Sequence, residues 1–99
     1  MASDITSGCT IENWADGSKQ VIWIETAATA DSDDTIVFDL SDYGAKTLEV
    51  ISGYIHSTTD SIIIAEAQTT EVSSGELTIT LGGSSADDQK RVYILECDC

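Results

Sequence analysis

Positive charge is scarce in this chain. Lys19, Lys46, Lys90 and Arg91 stand against eighteen Asp and Glu, for a formal charge of -14 over 99 residues. Proteins that grip a phosphate backbone cluster Lys and Arg to release counterions, so four scattered cations argue against a nucleic-acid partner. An anionic membrane surface is disfavoured on the same ground. Long apolar runs are missing as well, and none approaches the ~20 residues that span a bilayer. The opening Met1-Ala2-Ser3-Asp4 lacks the basic and apolar regions of a secretory signal, which leaves synthesis in a cytoplasm as the expectation.

Cysteine and histidine are sparse too. Cys9, Cys97 and Cys99 are an odd set, unlike the dense framework of a small secreted scaffold. A structural zinc site wants four ligands in paired spacings, and only His56 is left to join the three thiols. A buried Cys97 with a free Cys99 is the simpler expectation, and a bridge to Cys9 needs the first and last strands to be neighbours. With one histidine, any nucleophile-base-acid triad would have to be built on His56, and no nucleophile elbow or cysteine-protease signature accompanies it. Eighteen acids make accidental carboxylate pairs so common that pairing carries no signal for glycoside hydrolysis. Gly82-Gly83-Ser84-Ser85 lacks the lysine and following helix of a phosphate loop. The expectation is therefore a protein that is not an enzyme and has no cofactor.

What the chain does have is two-residue alternation. In Leu77-Thr78-Ile79-Thr80-Leu81 the aliphatic residues fall on one side and Thr on the other, and Ile36, Phe38 and Leu40 repeat the pattern; β-branched residues suit a pleated surface. Val21 to Ile24, Ile62 to Ile64 and Val92 to Leu95 are apolar at every position, which predicts strands covered on both faces. In a domain this small, such double cover points to an oligomer. A phase slip near Ser52-Gly53 suggests a bulge. Connectors rich in Gly, Ser and Asp fall at Ala27 to Asp34, Ser41 to Lys46, Ser57 to Asp60, Ser73 to Gly75 and Gly82 to Lys90, with a single turn at Asp42 to Ala45.

The pattern predicts an all-β fold: one antiparallel β-sandwich or small jelly roll of about six to eight strands. A single domain over 1–99 is expected, because the chain is too short for two cores. Residues 1–15 form an N-terminal arm or edge strand, and Ile5, Cys9, Ile11 and Trp14 are the candidate assembly contacts. Trp23 sits within an apolar run and is expected in the core, whereas Trp14, beside Asn13 and Asp16-Gly17, suits a contact surface or a cap over one end of the sandwich.

The acidic connector Asp31-Ser32-Asp33-Asp34 invites a calcium assignment. Counted from Asp31, however, the sixth position is Ile36 and the twelfth Asp42, where a calcium loop of the EF-hand kind needs Gly and a bidentate Glu. A solvated loop is expected, and no metal.

The stretch TTEVSSGELTITLGGSSADDQKRVYILE, residues 69–96, resembles the closing portion of small β-rich structural proteins of tailed phages in its Ser/Gly turn, Thr-alternating strand, Gly-Gly-Ser loop and final aromatic-aliphatic strand. The resemblance implies a noncatalytic virion component, of the capsid decoration, cement or head-fibre type. It would be made in the host cytoplasm and mounted on the virion surface as a homo-oligomer, by family likeness a trimer. Its partners would be copies of itself and the major capsid protein or another virion protein. Acidity favours the outer surface, because packed DNA would repel it. The alternatives are an acidic carbohydrate-binding β-sandwich module using its aromatic rings, and then a small hydrolase.

Overall fold

The computed structural model describes residues 3–56, 63–66, 68–82 and 89–98. The expected connector at Ser57 to Asp60, Ile62, the glycine-serine stretch beyond Gly82 and Cys99 lie outside the described residues. The described residues form eight strands: β1 Thr10–Asp16, β2 Lys19–Glu25, β3 Thr35–Asp39, β4 Thr47–His56, β5 Ile63–Ala65, β6 Thr69–Ser73, β7 Glu76–Thr80 and β8 Lys90–Asp98. They form two antiparallel sheets in the orders β1-β2-β8-β4-β5 and β3-β7-β6. The fold is a small all-β sandwich, as the alternation predicted. Its helical content among the described residues is two 3-10 turns, Thr6–Gly8 and Leu40–Tyr43.

The core lies between the sheets. From the three-stranded side come Ile36, Phe38, Leu77 and Ile79, with Leu81 just beyond β7; from the five-stranded side come Ile22, Ile24, Tyr93, Leu95 and Cys97. Full burial of an aliphatic side chain contributes about 1.5–3 kcal/mol, so this shared layer is the main force holding one sheet on the other. The Tyr43 ring sits edge-on to Phe38, centroids 5.0 Å apart. At the β6–β7 hairpin a two-residue turn places Ser74 at φ 53° and Gly75 at φ 83°, the left-handed pair that matches strand twist and that glycine adopts without steric cost.

Ser3 to Thr6, ahead of β1, are tied to β3. The Ser3 carbonyl accepts from Thr35 N at 2.8 Å and Ile5 N donates to Thr35 O at 2.9 Å, while Val37 N donates to Thr6 Oγ1 at 2.7 Å. The chain then crosses to the other sheet as β1. The expected arm is thus an edge strand preceded by a clasp on β3.

Two expectations need correction, and one alternative closes while Cys97 is buried as expected. The bulge lies at Glu49, between the Leu48 and Val50 registers on β8, and not at Ser52-Gly53; the extra residue lets Leu48 and Ile51 both face the core. Ile63 and Ile64 are 59% and 55% exposed, because β5 is a three-residue edge strand without a second cover. The bridge to Cys9 is ruled out for Cys97, because β2 separates β1 from β8. Cys97 pairs with Gln20 at one end of β2 while Thr10, next to Cys9, pairs with Glu25 at the other. Five strand residues span on the order of 17 Å, far beyond disulfide reach.

Candidate interaction surface

The two outer faces of the sandwich differ in chemistry. Cross-strand register puts Thr35, Thr78, Thr80, Asp39, Glu71 and Glu76 on the outside of the three-stranded sheet together with Val37, a surface mainly of hydroxyls and carboxylates. On the outside of the five-stranded sheet, Trp14 stands opposite Val21, Trp23 opposite Ile94, and Val92 opposite Tyr54. That is the apolar phase of the runs that are hydrophobic at every position. Among the described residues no second sheet lies over it. Val92 and Val21 are nevertheless buried by their own neighbours, whereas Trp14 is 48% and Tyr54 37% exposed. An apolar patch of this kind set among polar residues is a usual mark of a docking surface.

Charged groups share the face with the rings, several of them in ion pairs. Lys19 bridges Glu49 and, at 3.5 Å, Asp98, and Lys90 lies 3.6 Å from Glu25. All these groups are partly exposed, so each pair contributes about 0–1 kcal/mol and chiefly fixes which charges point outward. Glu12 and Glu96 flank the aromatic centre, cross-strand from Trp23 and Val21. Trp23 therefore belongs to this surface and not to the core, a correction that follows from its odd phase relative to Ile22 and Ile24. His56 sits at one end of the same face, opposite Lys90 and Ile63.

The candidate assembly contacts separate into two groups. Ile5, Cys9 and Ile11 are partly buried and pack against the core; Ile5 also lines a cavity of about 220 Å³ with Ser7, Gly8, Ala27, Thr29 and Ala30. Cys9 Sγ donates to Ile5 O at 3.3 Å, and burial, helped by the charge of Asp4, pushes its thiol up to about 11. Asp4 itself is held below the usual carboxylate range by hydrogen bonds from the Thr6 hydroxyl and main-chain N–H. Only Trp14 of the four presents its side chain to a potential partner.

Beneath the surface lies a buried polar network that was not anticipated. Arg91 is fully buried, and its guanidinium donates to Ala30 O at 2.8 Å, Gly82 O at 3.0 Å and Gln89 O at 3.3 Å. Glu66, also buried, accepts from the Tyr93 hydroxyl and from Gly82 N at 2.6 Å. Loops from both sheets are thereby tied to β8. Carrying the inward phase of Leu95 and Tyr93 back two residues lands on Arg91, so the alternation held the signal.

The acidic connector is not simply wet. Asp34 is buried, and its carboxylate accepts from Ser3 N and Asp31 N, each at 3.0 Å. It holds the connector to the N-terminal clasp. Among the described residues, no group of three or more His, Cys, Asp or Glu is arranged to hold a metal ion. No family model, curated protein or solved structure matches this chain, so the surface is interpreted from its own chemistry.

Proposed function

We propose that this chain is a noncatalytic structural protein of a phage virion. In this proposal it acts as a homo-oligomer seated on the outer capsid surface by the exposed face of its five-stranded sheet. The observation that carries the proposal is that Trp14, Trp23 and Tyr54 all lie on the outer face of the five-stranded sheet, whereas the outer face of the three-stranded sheet has no aromatic ring among the described residues. Seated this way, the Thr-rich face points to solvent, and Trp14, Trp23 and Tyr54 enter the contact. The likeness of residues 69–96 to phage structural proteins supplies the kind of partner.

The test is whether the protein co-purifies with a viral particle in fixed stoichiometry, and whether the double variant Trp14→Glu, Tyr54→Glu abolishes attachment while Thr78→Glu on the opposite face does not. Absence from particles, or equal attachment by both variants, would overturn the proposal. A second reading, a carbohydrate-binding module, is favoured by three aromatic rings on one sheet face, since such rings stack on sugars. Saturable quenching of tryptophan fluorescence by a soluble polysaccharide, without particle attachment, would select it.

A further inference from the structure

Four strands form the sheet edges, and they are not equally protected. The outer side of β3 carries the chain's own N-terminal clasp through the Asp4 bridge to Thr35. β5 has only three residues, and β6 has five centred on Glu71, so full-length pairing of β6 with a copy of itself sets Glu71 against Glu71. β1 runs for seven residues with no bulge in its register on β2, and the chain contains no proline. Natural edge strands are usually blunted by shortness, bulges, proline, charge or cover; among the described residues β1 has only the two acids Glu12 and Asp16.

The direction of the open groups follows from the hairpin. β1 and β2 are joined by the two-residue turn Gly17-Ser18, so Asp16 and Lys19 close the ladder as a hydrogen-bonded pair. Alternation then aims the main-chain N–H and C=O of Ile11, Asn13 and Ala15 away from β2. No main-chain hydrogen bond joins that edge to another described residue. The Asn13 side chain is turned aside, donating to Tyr43 O at 3.2 Å.

We infer that β1 is a self-recognition edge, and that two copies pair antiparallel through it about a twofold axis at Asn13. This register sets Asn13 against Asn13, Ile11 against Ala15, Glu12 against Trp14 and Thr10 against Asp16. No like charges stand directly opposite, which would be destabilising, and the six outward groups of each copy all find partners. Two five-stranded sheets merge into one of ten strands, and their aromatic outer faces become continuous across the seam through both Trp14 side chains. Antiparallel pairing of one edge with itself closes at two copies, so the unit is a dimer, in place of the trimer that family likeness implies.

Sedimentation velocity across the micromolar to near-millimolar range, combined with amide hydrogen exchange, tests this. The expected result is a species of twice the 10.5 kDa chain mass in which the Ile11, Asn13 and Ala15 amides exchange at least about tenfold more slowly than in the monomer, with β6 amides unchanged. Asn13→Pro removes an outward donor that makes no bond to β2 and should return the protein to a monomer. A monomer at every concentration, or a dimer whose Ile11, Asn13 and Ala15 amides exchange at monomer rates, would overturn the inference. Should Asn13→Pro not fold, the exchange rates of the unaltered chain decide. A chain that dimerises in this way but never joins a particle would defeat the proposed function and leave this inference standing.

Discussion

Gly53 and Tyr93 face each other across the β4–β8 ladder, and the missing side chain at Gly53 is what gives the Tyr93 ring its room. A Cβ at position 53 would lie 2.8 Å from Tyr93 Cδ1 and closer still to the Gln68 side-chain oxygen. The Gln68 amide can move, but Tyr93 cannot, because its hydroxyl is anchored on Glu66. Gly53→Ala should therefore destabilise the fold by about 1–3 kcal/mol, as overpacking does. Pairing it with Gln68→Ala should restore only part. Urea titration of the two variants checks this.

Tyr93→Phe keeps the ring and removes the donor to Glu66, and a buried acceptor that loses a partner costs about 1–3 kcal/mol. The same pair makes stability pH-dependent. Burial first, then the hydrogen bond to Glu66, raises the Tyr93 phenol far above its ordinary value. The folded state then holds a proton that the unfolded chain releases near pH ~10, so this contribution is complete below that pH and is lost progressively above it. Denaturation midpoints measured from neutral to strongly alkaline pH should fall in the unaltered protein and fall less steeply in Tyr93→Phe.

Arg91 satisfies three main-chain carbonyls from its fork of donors. Arg91→Met preserves the apolar stem and strands those acceptors. The expected loss is at least about 2 kcal/mol, given that one hydrogen bond to a charged group contributes about 1.5–3 kcal/mol. Arg91→Lys should recover little, because an ammonium cannot reproduce the planar fork. Thermal melts of the two variants should lie close together and well below the parent.

Cys9 should be a sluggish nucleophile. With its thiol pushed up to about 11 from 9.0, the thiolate fraction at mildly alkaline pH falls about a hundredfold relative to an ordinary thiol, and alkylation slows with it. Because the raised value favours the protonated folded form, any stability it contributes is present below pH 9 and lost between 9 and about 11. Iodoacetamide kinetics of the native protein, with Cys9→Ser as the blank for the other thiols, should show this slow phase, and denaturant should abolish it.

Much of the sandwich was legible because β7 and β3 are each buried on one face only, so Leu77, Ile79, Ile36 and Phe38 declare the inward phase by alternation. Where both phases are apolar, as at Val21 to Ile24, alternation cannot say which face is core. Its run alone therefore places Trp23 inward, although register sends it out. Ile63 and Ile64 misled for a related reason: an apolar run states that burial is favourable, not that a neighbour exists to supply it. Alternation marks Arg91 as inward, but neither its partners nor those of Asp34 can be read from side-chain patterning, because they are main-chain atoms of distant residues, Ser3 and Gly82 among them. The aromatic outer surface was visible only as a surplus of hydrophobicity.

The last strand of the sandwich, β8, is the middle strand of the larger sheet, flanked by β2 and β4. During translation, β2 and β4 therefore emerge with nothing between them, and residues 90–98 arrive as the wedge that lets the sheet close. A ribosome adding roughly 5–20 residues per second leaves the two apolar strands exposed for seconds. The chain thus depends on a late, all-at-once zippering, and stopping synthesis short of β8 should yield a sticky fragment that chaperones must hold, not a smaller version of the fold.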